Sequence, residues 1–204
     1  DTIDGGGEML NLNPVDLSPA DPERKGSPLK VQISGGLPWI WQSRDHAWHC
    51  LVVSGSGKKP SQPDKYVLAP VLTLMAVAAS GQPYPWADAQ RMTVHVAYRE
   101  HMQDHPYLLK PDACRIYLEM LVEDFFTLSP MAWLPFETVF GQGSLLRYIK
   151  QDNVSDVDAE AFAQSMQEAM QETLDPVAQL YGATVPVNIL DLARRRLRVF
   201  LPTL

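Results

Sequence analysis

The sequence predicts an α/β fold, a mixed sheet followed by a helical C-terminal half. Three observations carry this. Short β-rich runs alternate or stay apolar between residues 29 and 54 and again from 91 to 100. One long apolar segment, Lys65–Ser80, has helical rather than strand spacing and separates them. From Lys110 onward, period-3.6 patterning replaces the strand signals.

The chain has 204 residues, 46% hydrophobic and 20% charged, enough for a buried core and about the size of one domain with an appended piece. Its first residue is Asp1 rather than Met, which points to a piece of a longer chain or a processed product. No basic segment leads into an apolar stretch of signal-peptide type, and the longest apolar run, Val67–Ala79, is interrupted by Pro70 and too short to span a bilayer. Cys50 and Cys114 are the only cysteines, so a disulfide scaffold is not expected and a reducing, cytoplasmic setting fits. The net charge of −7 lacks the basic footprint of a free-standing duplex binder. Any nucleic-acid contact has to be local, or shared with other parts of a larger assembly.

Taken in order, residues 1–28 contain Gly5-Gly6-Gly7, Pro14, Pro19 and Pro22 without sustained periodicity, and read as a flexible linker or arm. Residues 29–109 read as the α/β core. "LKVQIS", Leu29–Ser34, is a strand; Gly35-Gly36 reads as a hairpin turn; "LPWIWQS", Leu37–Ser43, is a second strand. "AWHCLVVS", Ala47–Ser54, is a third, apolar enough to be central. In Lys65–Ser80, Leu68, Val71, Leu72, Met75 and Ala79 recur at helical spacing and Gly81 stops the helix. "RMTVHVAYRE", Arg91–Glu100, is a fourth strand. Residues 110–204 read as a helical part of the same domain. Pro111 opens a helix whose Ile116, Leu118, Leu121, Val122 and Phe125 share a face. "PMAWLPFETVFG" is a Pro-bounded turn into a short helix. "SDVDAEAFAQSMQEAMQETL" is amphipathic and starts with a Ser155/Asp158 capping pair, and "VNILDLARRRLRVFLPTL" is the last helix.

Strand, strand, strand, helix, strand is also the order of the PD-(D/E)xK nucleases. Such enzymes need carboxylates for a divalent cation that activates water. They place an Asp at the end of the second strand and an acidic-x-Lys triplet on the third. Set on this sequence, the second-strand position falls at Pro38 in Gly35-Gly36-Leu37-Pro38-Trp39. The third-strand acid falls on Val53 and the lysine on Gly55, while the small-Gly-Lys tail persists as Ser56-Gly57-Lys58. Valine cannot ligate a hard cation, which wants oxygen. In this frame the catalytic positions Pro38, Val53 and Gly55 are degenerate, and neither a metal nor a cofactor is expected.

With that loss, the chain resembles the C-terminal domain of the exodeoxyribonuclease V gamma subunit (RecC) family. The Gly-Leu-Pro turn ending at Pro38, "AASG" at Ala78–Gly81, "IYLEMLVEDFF" at Ile116–Phe126 and "WLPFETVF" at Trp133–Phe140 match its elements in order, over roughly residues 30–200. The resemblance implies a non-catalytic nuclease-fold scaffold and DNA-handling domain of a RecBCD-like helicase–nuclease in double-strand-break repair. Its partners would be RecB-like and RecD-like subunits, and DNA within the full complex. The alternative is an active metal-dependent nuclease of the AddB or RecB type with relocated ligands, for which Asp88, Asp104, Asp112 and Glu119 are the available carboxylates.

Several residue groups have two readings each. Trp39 and Trp41, with Trp48 nearby, could stack on unpaired bases, or cover the sheet. Lys58 and Lys59 sit in "GSGKKP", which lacks the Walker spacing and an adjoining helix, so nucleotide binding is excluded, though phosphate contact is not. Arg194, Arg195, Arg196 and Arg198 could contact DNA phosphates, or form the solvated side of a helix. His46, His49, Cys50, His101 and His105 lack zinc-ligand spacing, since His49 and Cys50 are adjacent on a strand and point to opposite faces. Finally, Phe125, Phe126, Met131, Trp133, Phe136, Val139 and Phe140 are more apolar residues than one helix face needs. The expectation is an exposed partner surface at Trp133, Phe136 and Phe140.

Overall fold

The structure is a computed structural model that describes residues 10–17, 31–37, 39–44, 47–54, 66–80, 90–127, 139–140, 143–172, 179–180, 185 and 188–201. Over these described residues it is α/β, with a two-stranded ribbon, a mixed four-stranded sheet and five helices of eight residues or more. The chain divides into two compact units, Asp1–Gly57 with Ala69–Glu123, and Lys58–Leu68 with Asp124–Leu204. The boundary expected at Lys110 is therefore at Asp124, inside a helix, and a short piece from the middle of the chain joins the second unit.

In the first unit, β1 (Leu10–Leu17) pairs antiparallel with β2 (Val31–Leu37). For Leu10–Leu17 this corrects the reading of residues 1–28 as a flexible linker or arm. The register skips between Leu12 and Val15, opposite Gly35 and Ile33. The extra residue sits at Asn13-Pro14, where proline has no N–H to give a ladder. The bulge shifts the phase of alternation from Leu10 and Leu12 to Val15 and Leu17, which hides the strand from a period-two search. Val15 and Leu17 are buried. The Gly35-Gly36 hairpin is also corrected: both glycines lie within β2, paired with Leu12 and Asn11.

The four-stranded sheet has the order β3 (Ile40–Gln42), β4 (Trp48–Val53), β5 (Gln90–Ala97), β6 (Met102–Leu109). β3–β4 and β5–β6 are antiparallel, and β4–β5 is parallel. A parallel pair needs a crossover, and α1 (Leu68–Ser80) lies between its strands in sequence. β6 was not expected, because Pro106 and the charged residues of "MQDHPYLL" mask it; as an edge strand it tolerates the proline. One face of the sheet is buried, with Trp48, Cys50, Met92, Val94, Val96, Tyr98, His105 and Leu109. α1 is apolar almost all round and buries seven residues from Val71 to Ala79, as a core helix should.

α2 (Pro111–Thr127) begins on proline at its first position. Its Arg115 donates from Nη1 to the Asp16 carbonyl at 2.9 Å and from Nη2 to the Ala79 carbonyl at 2.7 Å. A cation is thereby set against the C-terminal carbonyls of α1, where the helix dipole favours it, and tied to β1.

The second unit is built on α3 (Gly143–Lys150), α4 (Asp156–Glu172) and α5 (Ile189–Leu197), followed by a 3₁₀ turn at Arg198–Phe200. α3 is the short helix expected after the Pro-bounded turn of "PMAWLPFETVFG". Leu145, Leu146, Ile149, Phe162, Met166, Met170, Ile189, Leu190, Leu197 and Phe200 are buried. Phe162 meets Tyr148 edge to face at 6.0 Å. The Ser155/Asp158 pair caps α4 reciprocally: the Asp158 N–H donates to Ser155 Oγ at 3.2 Å and the Ser155 N–H to Asp158 Oδ2 at 3.0 Å. The Ser155 bonds hold the Asp158 carboxyl below its ordinary range.

Both thiols are free, with Cys50 5% and Cys114 3% exposed. Burial pushes each from 9.0 up to about 11. The folded state thus holds these protons more tightly than the unfolded state. That stabilisation is complete below pH 9.0 and is lost as pH rises toward 11. The urea midpoint is expected to fall across this window, and to fall less steeply in the Cys50→Ala/Cys114→Ala variant. Equal slopes in the two proteins would show that the thiols are not responsible.

Candidate functional site

The residue that the nuclease frame expected from sequence assigns to the acid, Val53, is the last of β4. Val53 stands there beside Ala97 of β5, and 75% of it is exposed. It follows the strand's Leu51 and Val52, and the Ser54 N–H donates to the Ala97 carbonyl at 2.9 Å. The position is accessible and carries no oxygen ligand. The other two positions of that expected frame, Pro38 and Gly55, lie outside the described residues, as do Lys58 and Lys59. Among the carboxylates considered as relocated ligands, Asp88 is outside the described residues. Asp104 is on β6, Asp112 in the first turn of α2 and Glu119 further along that helix. Among the described residues no three His, Cys, Asp or Glu side chains gather into a metal-holding group.

Trp39 is 73% exposed and has φ of 58°, a left-handed conformation that is costly for a side chain of this size. The regular strand starts only at Ile40, so the alternation expected to put Trp39 and Trp41 on one face does not reach Trp39. Trp41 is engaged with its neighbours. Its ring stacks on those of His49 at 5.3 Å and His95 at 5.6 Å, with interplanar angles of 14° and 15°. Trp48 faces the other way and is buried.

Under Trp41 runs a row of polar side chains that crosses the sheet. His49 Nε2 is 3.0 Å from Ser43 Oγ, His49 Nδ1 is 2.9 Å from His95 Nε2, and His95 Nδ1 is 2.7 Å from Asp104 Oδ1. His95 directly opposes Asp104 across the β5–β6 ladder, whereas His49 reaches His95 diagonally, since its own partner on β5 is Thr93. The histidines singled out from sequence are otherwise scattered. His49 and Cys50 do face opposite sides, His101 is exposed, His105 is buried in β6 and His46 is outside the described residues. His95 went unremarked in sequence, although its place between Val94 and Val96 puts it on the opposite face from two core residues.

The arginines of the basic run make their contacts within the second unit. Arg196 is buried and donates from Nε to Asp124 Oδ2 at 2.7 Å. Arg195 Nη2 reaches the other oxygen of the same carboxylate. Arg194 donates to the Gln151 and Asp152 carbonyls at 2.6 and 3.1 Å, just past the C-terminus of α3, and Arg198 pairs with Asp152. Phe140, expected on a partner surface, is fully buried, as is Val139. Phe125 is 63% exposed, and Trp133 and Phe136 lie outside the described residues. No helix among the described residues is long and apolar enough to cross a membrane.

Comparison with protein-family models, curated proteins and solved structures finds no match.

Proposed function

We propose that this chain is a non-catalytic nuclease-fold module, the scaffold and DNA-handling domain of a RecBCD-like exodeoxyribonuclease V assembly in cytoplasmic double-strand-break repair. The observation that carries the reading is Val53: a solvent-exposed valine at the end of a central strand, where a PD-(D/E)xK enzyme needs a carboxylate. The surrounding order supports it. An antiparallel β3–β4 pair is followed by a helix in sequence and a strand parallel to β4, the arrangement on which those nucleases mount their metal site. The resemblance at "AASG", "IYLEMLVEDFF" and "WLPFETVF" supports this reading, which implies RecB-like and RecD-like partners and DNA in the complex.

The chain should not cleave single- or double-stranded DNA with Mg²⁺ or Mn²⁺. Val53→Asp with Gly55→Lys should not restore cleavage either, because the second-strand position is Pro38. A gel assay on both substrates, with and without chelator, tests this. Chelator-sensitive cutting by the unaltered chain would overturn the proposal in favour of an active nuclease with relocated ligands.

A further inference from the structure

The row under Trp41 contains more hydrogen bonds than two neutral histidines can supply. Ser43 Oγ lies 3.0 Å from the Ala47 carbonyl as well as 3.0 Å from His49 Nε2. A carbonyl only accepts, so the single hydroxyl hydrogen goes to Ala47 when that bond is made. His49 Nε2 must then be the donor to Ser43 Oγ. With its hydrogen on Nε2, a neutral His49 accepts at Nδ1, and the 2.9 Å contact obliges His95 Nε2 to donate. His95 Nδ1 still faces the Asp104 carboxylate at 2.7 Å, which also requires a hydrogen. Three contacts beyond the hydroxyl thus need three hydrogens, and two neutral imidazoles bring two. All four bonds coexist only when the row carries one proton more than two neutral rings and a carboxylate.

We propose that Ser43, His49, His95 and Asp104 form a one-proton switch that fastens the β3–β4 turn to the sheet. Without the extra proton the chain of donors runs the other way. Ser43 gives its hydrogen to His49, His49 Nδ1 gives to His95, and His95 Nδ1 gives to Asp104. The Ala47 carbonyl then keeps the Ser43 N–H, at 2.9 Å. One proton therefore decides whether the hydroxyl closes the turn that leads from Trp41 to His49.

The surroundings suit a cation that comes and goes. The Trp41 ring lies over both imidazoles, whose own planes are within 15° of each other, and an aromatic face attracts positive charge. Asp104 closes the end of the row and is open to solvent, with 57% of its side chain exposed, so protons have access. On the same face β4 offers only Leu51 and Val53, and β6 offers Met102, Pro106 and Leu108 beside Asp104. Among the described residues, other charged groups near the row's elements, Arg44 in the turn, Arg91 on β5, and Arg99, Glu100 and the titratable His101 between β5 and β6, are exposed; Asp45 and His46 of the turn lie outside the described residues. An acyl-transfer role for Ser43 is disfavoured, because its N–H is committed to Ala47 and cannot serve an oxyanion.

Imidazole ¹⁵N shifts and the Ala47 carbonyl ¹³C shift, followed across roughly pH 5 to 8, test the switch. His49 and His95 should take up one proton between them in a single joint transition, with His49 keeping its hydrogen on Nε2 in the acid form. The Ala47 carbonyl should move with the same midpoint. Ser43→Ala should leave the rings titrating but make Ala47 insensitive to pH, and His95→Gln should abolish the Ala47 response. Independent titration of the two rings, or an Ala47 carbonyl that does not respond in the unaltered chain, would overturn the proposal.

Discussion

Replacing Asp124 by alanine is expected to cost the second unit about 3–5 kcal/mol. Asp124 is 6% exposed and receives Arg196 on one carboxylate oxygen and Arg195 on the other. The size of the effect comes from what is left behind. Arg195 is half-exposed and can rehydrate, whereas only 10% of the Arg196 side chain is exposed and it would keep a buried charge without this carboxylate. The pair itself contributes less than this, because both ions lost water to form it. Two further variants separate these terms. Arg195→Ala should cost under about 1 kcal/mol, as for exposed pairs. Asp124→Ala combined with Arg196→Met should recover much of the loss, since a well-packed apolar residue replaces the stranded cation. Urea denaturation followed by far-UV circular dichroism reads all three. Equal losses for Arg195→Ala and Asp124→Ala would mean that burial of Arg196 is not what sets the cost.

How much of this was readable in the sequence depends on how far each pattern reaches along the chain. β4, β5, α1, α2 and α4 declare themselves through local periodicity, and their ends agree with the expected ones to within a few residues. β1 does not, since its bulge resets the alternation at Pro14. Gly35-Gly36 carries a strong local turn signal, but pairing with a strand more than twenty positions earlier keeps it extended. The candidate sites follow the same logic. The place of Val53 at the end of β4 was legible because the strand pattern is contiguous. The row from Ser43 to Asp104 was not, because it depends on a diagonal step from β4 to β5, which only the register supplies. The basic run invited a phosphate reading because its counter-ion Asp124 lies 72 residues before Arg196. Within "ARRRLR" nothing distinguishes Arg196 from its neighbours except helical phase. It lies three residues from Ala193 and four from Leu192, both buried.

Phe140→Ala should also cost about 3–5 kcal/mol, which turns the sequence expectation for this residue into its opposite. As part of a partner surface, Phe140 would be exposed in the isolated chain. Its removal would then leave stability nearly unchanged and weaken assembly instead. Phe140 is instead 0% exposed and among the largest fully buried side chains, alongside Phe162 and Phe200. Truncating such a side chain removes apolar area from the core and leaves a cavity that close-packed neighbours fill only in part. Phe140→Leu, which keeps most of the volume, should cost roughly 1–1.5 kcal/mol. Phe125→Ala is the contrasting substitution within the same apolar cluster of the sequence. With 63% of that residue exposed, its loss should stay near 0.5 kcal/mol, the range of ordinary surface changes. Urea midpoints for the three variants decide the matter. A Phe140→Ala protein as stable as the parent would return the residue to the surface, and with it the partner site expected from Trp133 to Phe140. The predicted order is Phe140→Ala well above Phe140→Leu, with Phe125→Ala lowest, as their exposures require.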